Sequence, residues 1–301
     1  MINVMRMAAL GALFSFSVLF TTSLIYSVKY TMVDDGLFNQ PLFLHCLAVS
    51  GSYLLIALLV MISPLGDKIM SLFFVMRKKS LREEKKINPA IERVQQLYHQ
   101  KYGQDLKINA YVMDAPHIDG MSLGRKSVAV STGLLKTGTE DEITAVIAHE
   151  AGHLHNKDGI FNIAFFIAGL PTLFLNGALK AVLFFGPKPS MPGSGGESSM
   201  FGAGILVIVV LLIFFPYFLI FWLMSFIVIL VLRAVGMVIA WPVEYRADKF
   251  SVDLGLGAAL IELFERIEDE DIRNTSGFLS KYMYSHPPTA LRIDKIERAI
   301  G

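Results

Sequence analysis

The chain has 301 residues, of which 53% are hydrophobic and only 18% charged, with a mean hydropathy of +0.52. That is too apolar for an ordinary soluble domain of this size, and the net charge of +1 gives no global reason to bind nucleic acid or a polyanion. The single cysteine, Cys46, excludes an intrachain disulfide and a cysteine-ligated zinc cluster, so any zinc would have to be held by His, Glu or Asp.

Residues 7–28 carry no charge, long enough to cross a bilayer. The run exceeds a typical signal-peptide core and ends without a small-x-small cleavage site, so it reads as a retained anchor. Residues 29–41 form a short polar loop with Asp34 and Asp35, and residues 42–63 make a second charge-free run. His45 lies near the end of that run, where a lone histidine usually sits at the interface or bonds a neighbouring helix. After Pro64 the composition changes, and Arg77, Lys78, Lys79, Arg82, Lys85 and Lys86 cluster close to the second span. Such a cluster could bind anionic lipid. It also follows the positive-inside rule, which predicts that the N-terminus and the chain from about residue 64 face the cytoplasm.

The first polar region runs over residues 64–158. Asn88-Pro89 reads as an N-cap followed by proline at the first helical position, with Ile91, Val94, Leu97 and Tyr98 on an apolar face up to Gly103. Residues 107–113 alternate as a strand does. Residues 119–124 read as a turn or irregular link, and residues 127–131 (SVAVS) as a second strand ended by Thr132-Gly133. A helix is predicted from Thr139, because Thr139 and Glu142 have capping-box spacing and Glu140, Asp141 and Glu142 suit the positive end of the helix dipole. Ile143, Val146 and Ile147 continue it as an apolar stripe. A membrane hairpin is expected over residues 159–232. Its first limb, about 159–185, contains Asn162, Pro171 and Asn176. A Gly/Pro/Ser-rich loop follows at 186–200, and the second limb runs over 205–232. As a helix the second limb would be about 42 Å long against about 30 Å of hydrocarbon, so it should tilt or bend, with Pro216 as a candidate kink. Residues 1–63, 64–158, 159–232 and 233–301 therefore alternate between membrane and cytoplasm, with four spans.

The predicted helix contains His149-Glu150-Ala151-Gly152-His153, an H-E-x-x-H motif. Residues four apart on a helix lie about 40° apart around the axis, so both imidazoles can reach one metal ion and the intervening glutamate can act on a water there. His155 would point about 200° away from His153 and is not expected to be a ligand. Asp158 would fix the helix end or contact a ligand from behind. Two histidines need at least one more ligand. Glu244 and Asp248 are four apart on a helix after the last span, with Glu244 as candidate third ligand and Asp248 as candidate hydrogen-bond partner of a ligand histidine. Their spacing fits an ordinary solvated charged helix equally well. An even number of crossings returns this helix to the side of the H-E-x-x-H helix, which favours the ligand reading.

His149-Glu150-x-x-His153-x-x-Asn156-x-Asp158, Glu244-x-x-x-Asp248, His286-Pro287-Pro288-x-x-x-Arg292 and the segment Val128 to Leu135 together resemble the HtpX-type membrane zinc metalloproteases, relatives of the prenyl (CAAX) proteases within the gluzincins. The resemblance implies an α-helical integral membrane protein with a mainly helical cytoplasmic gluzincin-type domain carrying a small β-sheet. It implies one zinc ion per chain held by His149, His153 and Glu244, with Glu150 as catalytic glutamate. It also implies a multi-pass protein of the bacterial inner membrane that degrades misfolded or damaged membrane proteins in quality control and stress response. His286 is the candidate stabiliser of the oxyanion, supported by Arg292, which could instead serve neighbouring carboxylates; outside the family, His286-Pro287-Pro288 would be a turn and Arg292 a surface charge. An edge strand at Ser127, Val128, Ala129 and Val130 is expected to pair with an extended substrate, or else to be purely structural. One departure stands out: Asp119-Gly120-Met121-Ser122 replaces the Asn-Ala-Phe-Ala usual in HtpX-type sequences. A client-binding adaptor without catalysis would be expected to have lost zinc residues, which are intact here. A metal transporter would place ionisable groups inside the spans.

Overall fold

A computed structural model describes residues 2–30, 40–185, 223, 240–274 and 287–301. It divides into two compact units. One comprises Met1–Leu10, Tyr53–Ile167 and Val235–Gly301, and the other Gly11–Ser52 and Ala168–Ala234.

Within the second unit the described residues are helical. They belong to α1 (Ile2–Tyr30), the first half of α2 (Gln40–Ile62) and the later part of α7 (Asp158–Phe185). Leu13, Phe20 and Cys46 are buried there, and Tyr26 meets Phe43 edge to face. Asn3–Ser23 and Gln40–Val60 are each 21 residues long and apolar enough to cross a membrane. α7 is one helix through Pro171. The expected loop at 186–200, and the expected fourth span and its Pro216 kink, lie outside the described residues.

The first unit holds the polar part of the chain. α3 (Pro64–Phe73) begins at Ser63, whose hydroxyl accepts from the Leu65 N–H. Its Asp67 is buried and accepts from the Arg125 N–H and the Ser127 hydroxyl, tying α3 to the sheet. α4 (Leu81–Tyr102) starts eight residues before Pro89, which corrects the start expected at Asn88. The cap is Ser80, whose N–H donates to Glu83 Oε2 at 2.7 Å. Arg77 grips both Glu83 and Asp114, and its hydrogen bonds to the Glu83 carboxylate hold that group down at about 2. This anchored first turn outweighs the loss of one backbone N–H at Pro89. Of the face expected on α4, Ile91, Val94 and Tyr98 are buried and Leu97 is partly buried, and the helix ends at Gly103 with a φ of 65°, a left-handed cap suited to glycine.

Among the described residues the sheet has three strands, β1 (Asn109–Met113), β2 (Gly120–Leu123) and β3 (Ser127–Ser131), in the order β1-β3-β2. β1 runs parallel to β3 and β2 antiparallel to it. Two expectations are corrected here. The segment around 119–124 is not merely a turn but contains an edge strand, β2. Ser127, Val128, Ala129 and Val130 are not on an edge. They form the middle strand, paired on both sides and buried, so their backbone groups are not open to a substrate. Alternation identifies a strand but carries no information about its place in the sheet.

α5 (Thr132–Thr137) follows directly, capped by Ser131. α6 (Glu140–His155) has the expected capping box, with the Thr139 N–H donating to Glu142 Oε2 at 2.7 Å and the Glu142 N–H to Thr139 Oγ1 at 3.2 Å. Arg266 then joins the same Glu142 oxygen at 2.8 Å. Every residue from Glu142 to Leu154 is buried, because α6 packs into one hydrophobic core with α4, the sheet, the helical residues 240–253 (α8), α9 (Gly257–Asn274) and α10 (Thr289–Ile300).

Gly133 touches the preceding loop closely enough to test this packing. A Cβ there would lie 2.3 Å from the Pro116 carbonyl oxygen and 2.4 Å from that of His117. Backbone cannot retreat as a side-chain tip can, so Gly133→Ala should destabilise the chain by about 1–3 kcal/mol. Gly51→Ala meets nothing within 4 Å and should leave the thermal midpoint in detergent unchanged. Equal midpoints for both variants would refute the account.

Candidate metal centre

α6 brings His149 and His153 to one face, with ring centroids 4.9 Å apart and ring planes at 90°. Glu244 reaches them from α8. Its Oε2 lies 3.5 Å from His149 Nε2 and its Oε1 lies 3.4 Å from His153 Nε2. All three residues are buried, and their ligand atoms lie within 4.8 Å of one another. The approach of the two helices depends on Gly152. A Cβ there would sit 3.0 Å from Phe250 Cβ and 3.1 Å from Ala247 Cα, so α8 lies against α6 where the side chains are smallest.

Each histidine is held from behind. His149 Nδ1 is 2.9 Å from Asp248 Oδ1, and His153 Nδ1 is 3.1 Å from Asp158 Oδ2. A carboxylate on Nδ1 fixes the tautomer that leaves the Nε2 lone pair for a metal. Asp158 reaches back because the chain turns sharply after α6, where Lys157 takes a φ of 59°, uncommon for a residue with a side chain. The carboxylates are themselves clamped. Arg292 binds Asp248 through two nitrogens, at 2.8 Å and 2.5 Å, and its guanidinium lies over the Phe264 ring. Asp158 Oδ1 receives Arg6 at 2.5 Å and Arg246 at 3.3 Å.

Burial disfavours charge on the imidazoles, but the surrounding carboxylates outweigh it. His149 is raised by Asp248 and Glu244, and His153 is pushed up to about 10 by Asp158, Glu244 and Glu150. Burial likewise opposes ionisation of Asp248 and Asp158, yet Arg292 with His149, and His153 with Arg6, hold both below the usual carboxylate range. A buried pocket of negative field with two imidazole nitrogens and a carboxylate oxygen converging on one point fits a divalent ion of zinc's preferences.

Glu150 is buried on the same helix, beside the start of β2. A Cβ on Gly120 would lie 3.1 Å from Glu150 Oε1 and 2.6 Å from Val146 Cγ1. The departure from the family pattern at Asp119-Gly120 therefore falls beside the catalytic candidate. His155 points away from the pair, as its helix position predicts, with Nδ1 3.1 Å from the Tyr98 hydroxyl and its ring packed on Tyr102 and Phe250. His286 lies outside the described residues. Arg292 serves the neighbouring carboxylate Asp248, one of the two roles its sequence position allowed.

Sequence reading missed Arg6 and Arg246, and marked Gly120 only as part of a departure from the family pattern. A lone arginine at the head of an otherwise apolar helix was the available signal for Arg6. Nothing in the sequence pointed to Gly120 as a contact of Glu150.

The architecture and the pair of capped histidines define a mainly helical H-E-x-x-H protein. Residues 82–300 match the model of peptidase family M48, and the chain belongs to that family, as the motif resemblance implied. A CAAX prenyl protease 1 homolog of Oryza sativa subsp. japonica is 32% identical over 186 residues, 60% of this chain and 39% of that one. Protease HtpX homolog 2 of Methanosarcina acetivorans is 27% identical, over 60% of each chain. Protease HtpX of Idiomarina loihiensis is 29% identical, over 62% of this chain and 64% of its own. The matched part thus spans less than two thirds of each of these relatives. The crystal structure of S. mikatae Ste24p aligns with 91% of this chain and 61% of its own at a TM-score of 0.49 and 19% identity.

The α6–α8 contact generates a test. Gly152→Val should push α8 away and withdraw Glu244, so the purified chain should carry much less zinc by elemental analysis while remaining folded. Full zinc content would show that the close approach does not set the third ligand.

Proposed function

We propose that this chain is a zinc-dependent endopeptidase of the membrane that hydrolyses peptide bonds of misfolded or damaged membrane proteins. The observation that carries the reading is the convergence of His149 Nε2, His153 Nε2 and the Glu244 carboxylate, with buried Glu150 on the same helix as the histidines. Membership of a peptidase family and the relatives named as HtpX proteases support it. Two helices long enough to cross a bilayer, followed by the basic run from Arg77, support a multi-pass protein with its site on the cytoplasmic face. The resemblance to the HtpX-type motif set supports a place in the bacterial inner membrane and a role in stress response.

His149, His153 and Glu244 would hold the ion. When bound, zinc would supply Lewis-acid polarisation of the scissile carbonyl and would make the attacking water more acidic. Glu150 takes a proton from the attacking water and delivers it to the leaving amine. Asp248 and Asp158 keep both imidazoles oriented while Glu150 changes protonation. His286 is assigned as donor to the oxyanion. An extended substrate pairs with β2 rather than β3, because β2 is an edge strand beginning against Glu150. Among the described residues its outer edge has no partner strand. Backbone pairing there demands little of the substrate sequence, which suits unfolded clients.

The test is cleavage of casein or an unfolded membrane protein by the purified chain in detergent, with zinc content measured. Glu150→Ala should retain zinc and lose about 10²-fold or more in rate; equal cleavage by both forms would overturn the mechanism. Gly120→Ala should slow cleavage without loss of zinc, because its Cβ would press on Glu150 and Val146 and not on the ligands. An unchanged rate would remove Gly120 from the site.

A further inference from the structure

Arg6 lies near the start of the first apolar helix, yet it is only 3% exposed. Its Nη1 is 2.5 Å from Asp158 Oδ1, and its guanidinium carbon sits 4.3 Å above the Phe161 ring. Asp158 is fully buried, and its other oxygen, Oδ2, meets His153 Nδ1 at 3.1 Å. We propose that Arg6 is a positioning residue for the metal ligand His153, acting through Asp158. The inference rests on the reading of His149, His153 and Glu244 as a metal site. It goes beyond that reading because Arg6 lies outside residues 82–300, the part of the chain that matches the peptidase family.

The physical argument is geometric. A carboxylate rotates about its last side-chain bond and can offer either oxygen. Arg6 occupies Oδ1, and the ring of Phe161 limits where the guanidinium can go. Oδ2 is then the oxygen that remains for His153, at a fixed direction. Arg246 shares Oδ1, but at 3.3 Å and with its side chain 31% exposed against 4% for Arg6. Solvent competes with Arg246 far more than with Arg6. At His149 a buried arginine likewise backs the carboxylate, although there Arg292 takes both oxygens of Asp248 and His149 shares Oδ1 with it. Each ligand histidine thus has one carboxylate and one buried arginine behind it, and for His153 the arginine comes from the first apolar helix.

The experiment uses the full chain in detergent. Zinc affinity is read by chelator competition, and site geometry by the visible spectrum of the cobalt-loaded protein. The forms compared are wild type, Arg6→Ala, Arg6→Lys, Asp158→Asn, Arg6→Ala with Asp158→Asn, and His153→Ala. Arg6→Ala should weaken zinc binding about tenfold or more and shift the cobalt bands. Arg6→Lys should recover part of the loss. Adding Arg6→Ala to Asp158→Asn should cost little more, since the two act in one chain of contacts. Arg93→Ala, which removes an exposed arginine paired with Asp141, should change neither readout. Wild-type affinity and spectrum for Arg6→Ala would overturn the inference. A full additional loss in the double variant would do the same, because it would assign Arg6 to general stability. Should Arg6→Ala not fold, Arg6→Lys and Arg6→Gln carry the same comparison. If His153→Ala binds zinc like wild type, the metal site itself is wrong, an outcome separable from failure at Arg6 alone.

Discussion

Two imidazoles one helical turn apart can serve one ion only if both present Nε2 to the same point. Imidazole has two nearly equivalent nitrogens and a freely turning ring, so this orientation has to be imposed. Here it is imposed twice by the same device. Asp248 takes His149 Nδ1 and Asp158 takes His153 Nδ1, and each carboxylate is gripped by a buried arginine. A buried carboxylate without a partner would be costly, and a buried arginine likewise. Paired, each fixes the other: Asp158 keeps Oδ2 for His153, while Asp248 holds Arg292 with both oxygens and shares Oδ1 with His149.

The packing of α6 follows from this need. A helix that displays two candidate ligands and a buried glutamate inside a low-dielectric site cannot be a surface helix. α6 is buried from Glu142 to Leu154, so its other faces have to be covered by α4, α8, α9 and the sheet. Gly152, inside the motif, is where α8 comes closest. The same residue that completes the H-E-x-x-H spacing thus lets Glu244 in. Gly120 does a related job where the start of β2 closes on Glu150 and Val146. Small residues mark both places where backbone approaches the site.

Several of these features were legible beforehand because their signals are local. The Thr139–Glu142 box, the acidic first turn and the apolar stripe each involve residues within one or two turns of each other, and α6 begins where they indicate. Local signals also misled. Asn88-Pro89 has the form of a helix start, yet Arg77 and Asp114 anchor a start at Ser80, and Asp114 is 37 positions from Arg77. The segment around Gly120 resembles a turn because glycine and serine suit turns, yet β3 recruits it as a partner.

The sequence alone determined the chemistry: which side chains can bind an ion, their spacing on one helix, a third acidic candidate and the apolar runs long enough for a membrane. Helical and strand periods are properties of neighbouring residues, so they survive in a one-dimensional reading. The tertiary structure decided which oxygen faces which nitrogen, that β2 and not β3 lies at the sheet edge, and that Arg6 meets Asp158, behind His153, from 152 positions away. Contacts between residues so distant are set by how helices and strands pack, and no local period encodes them.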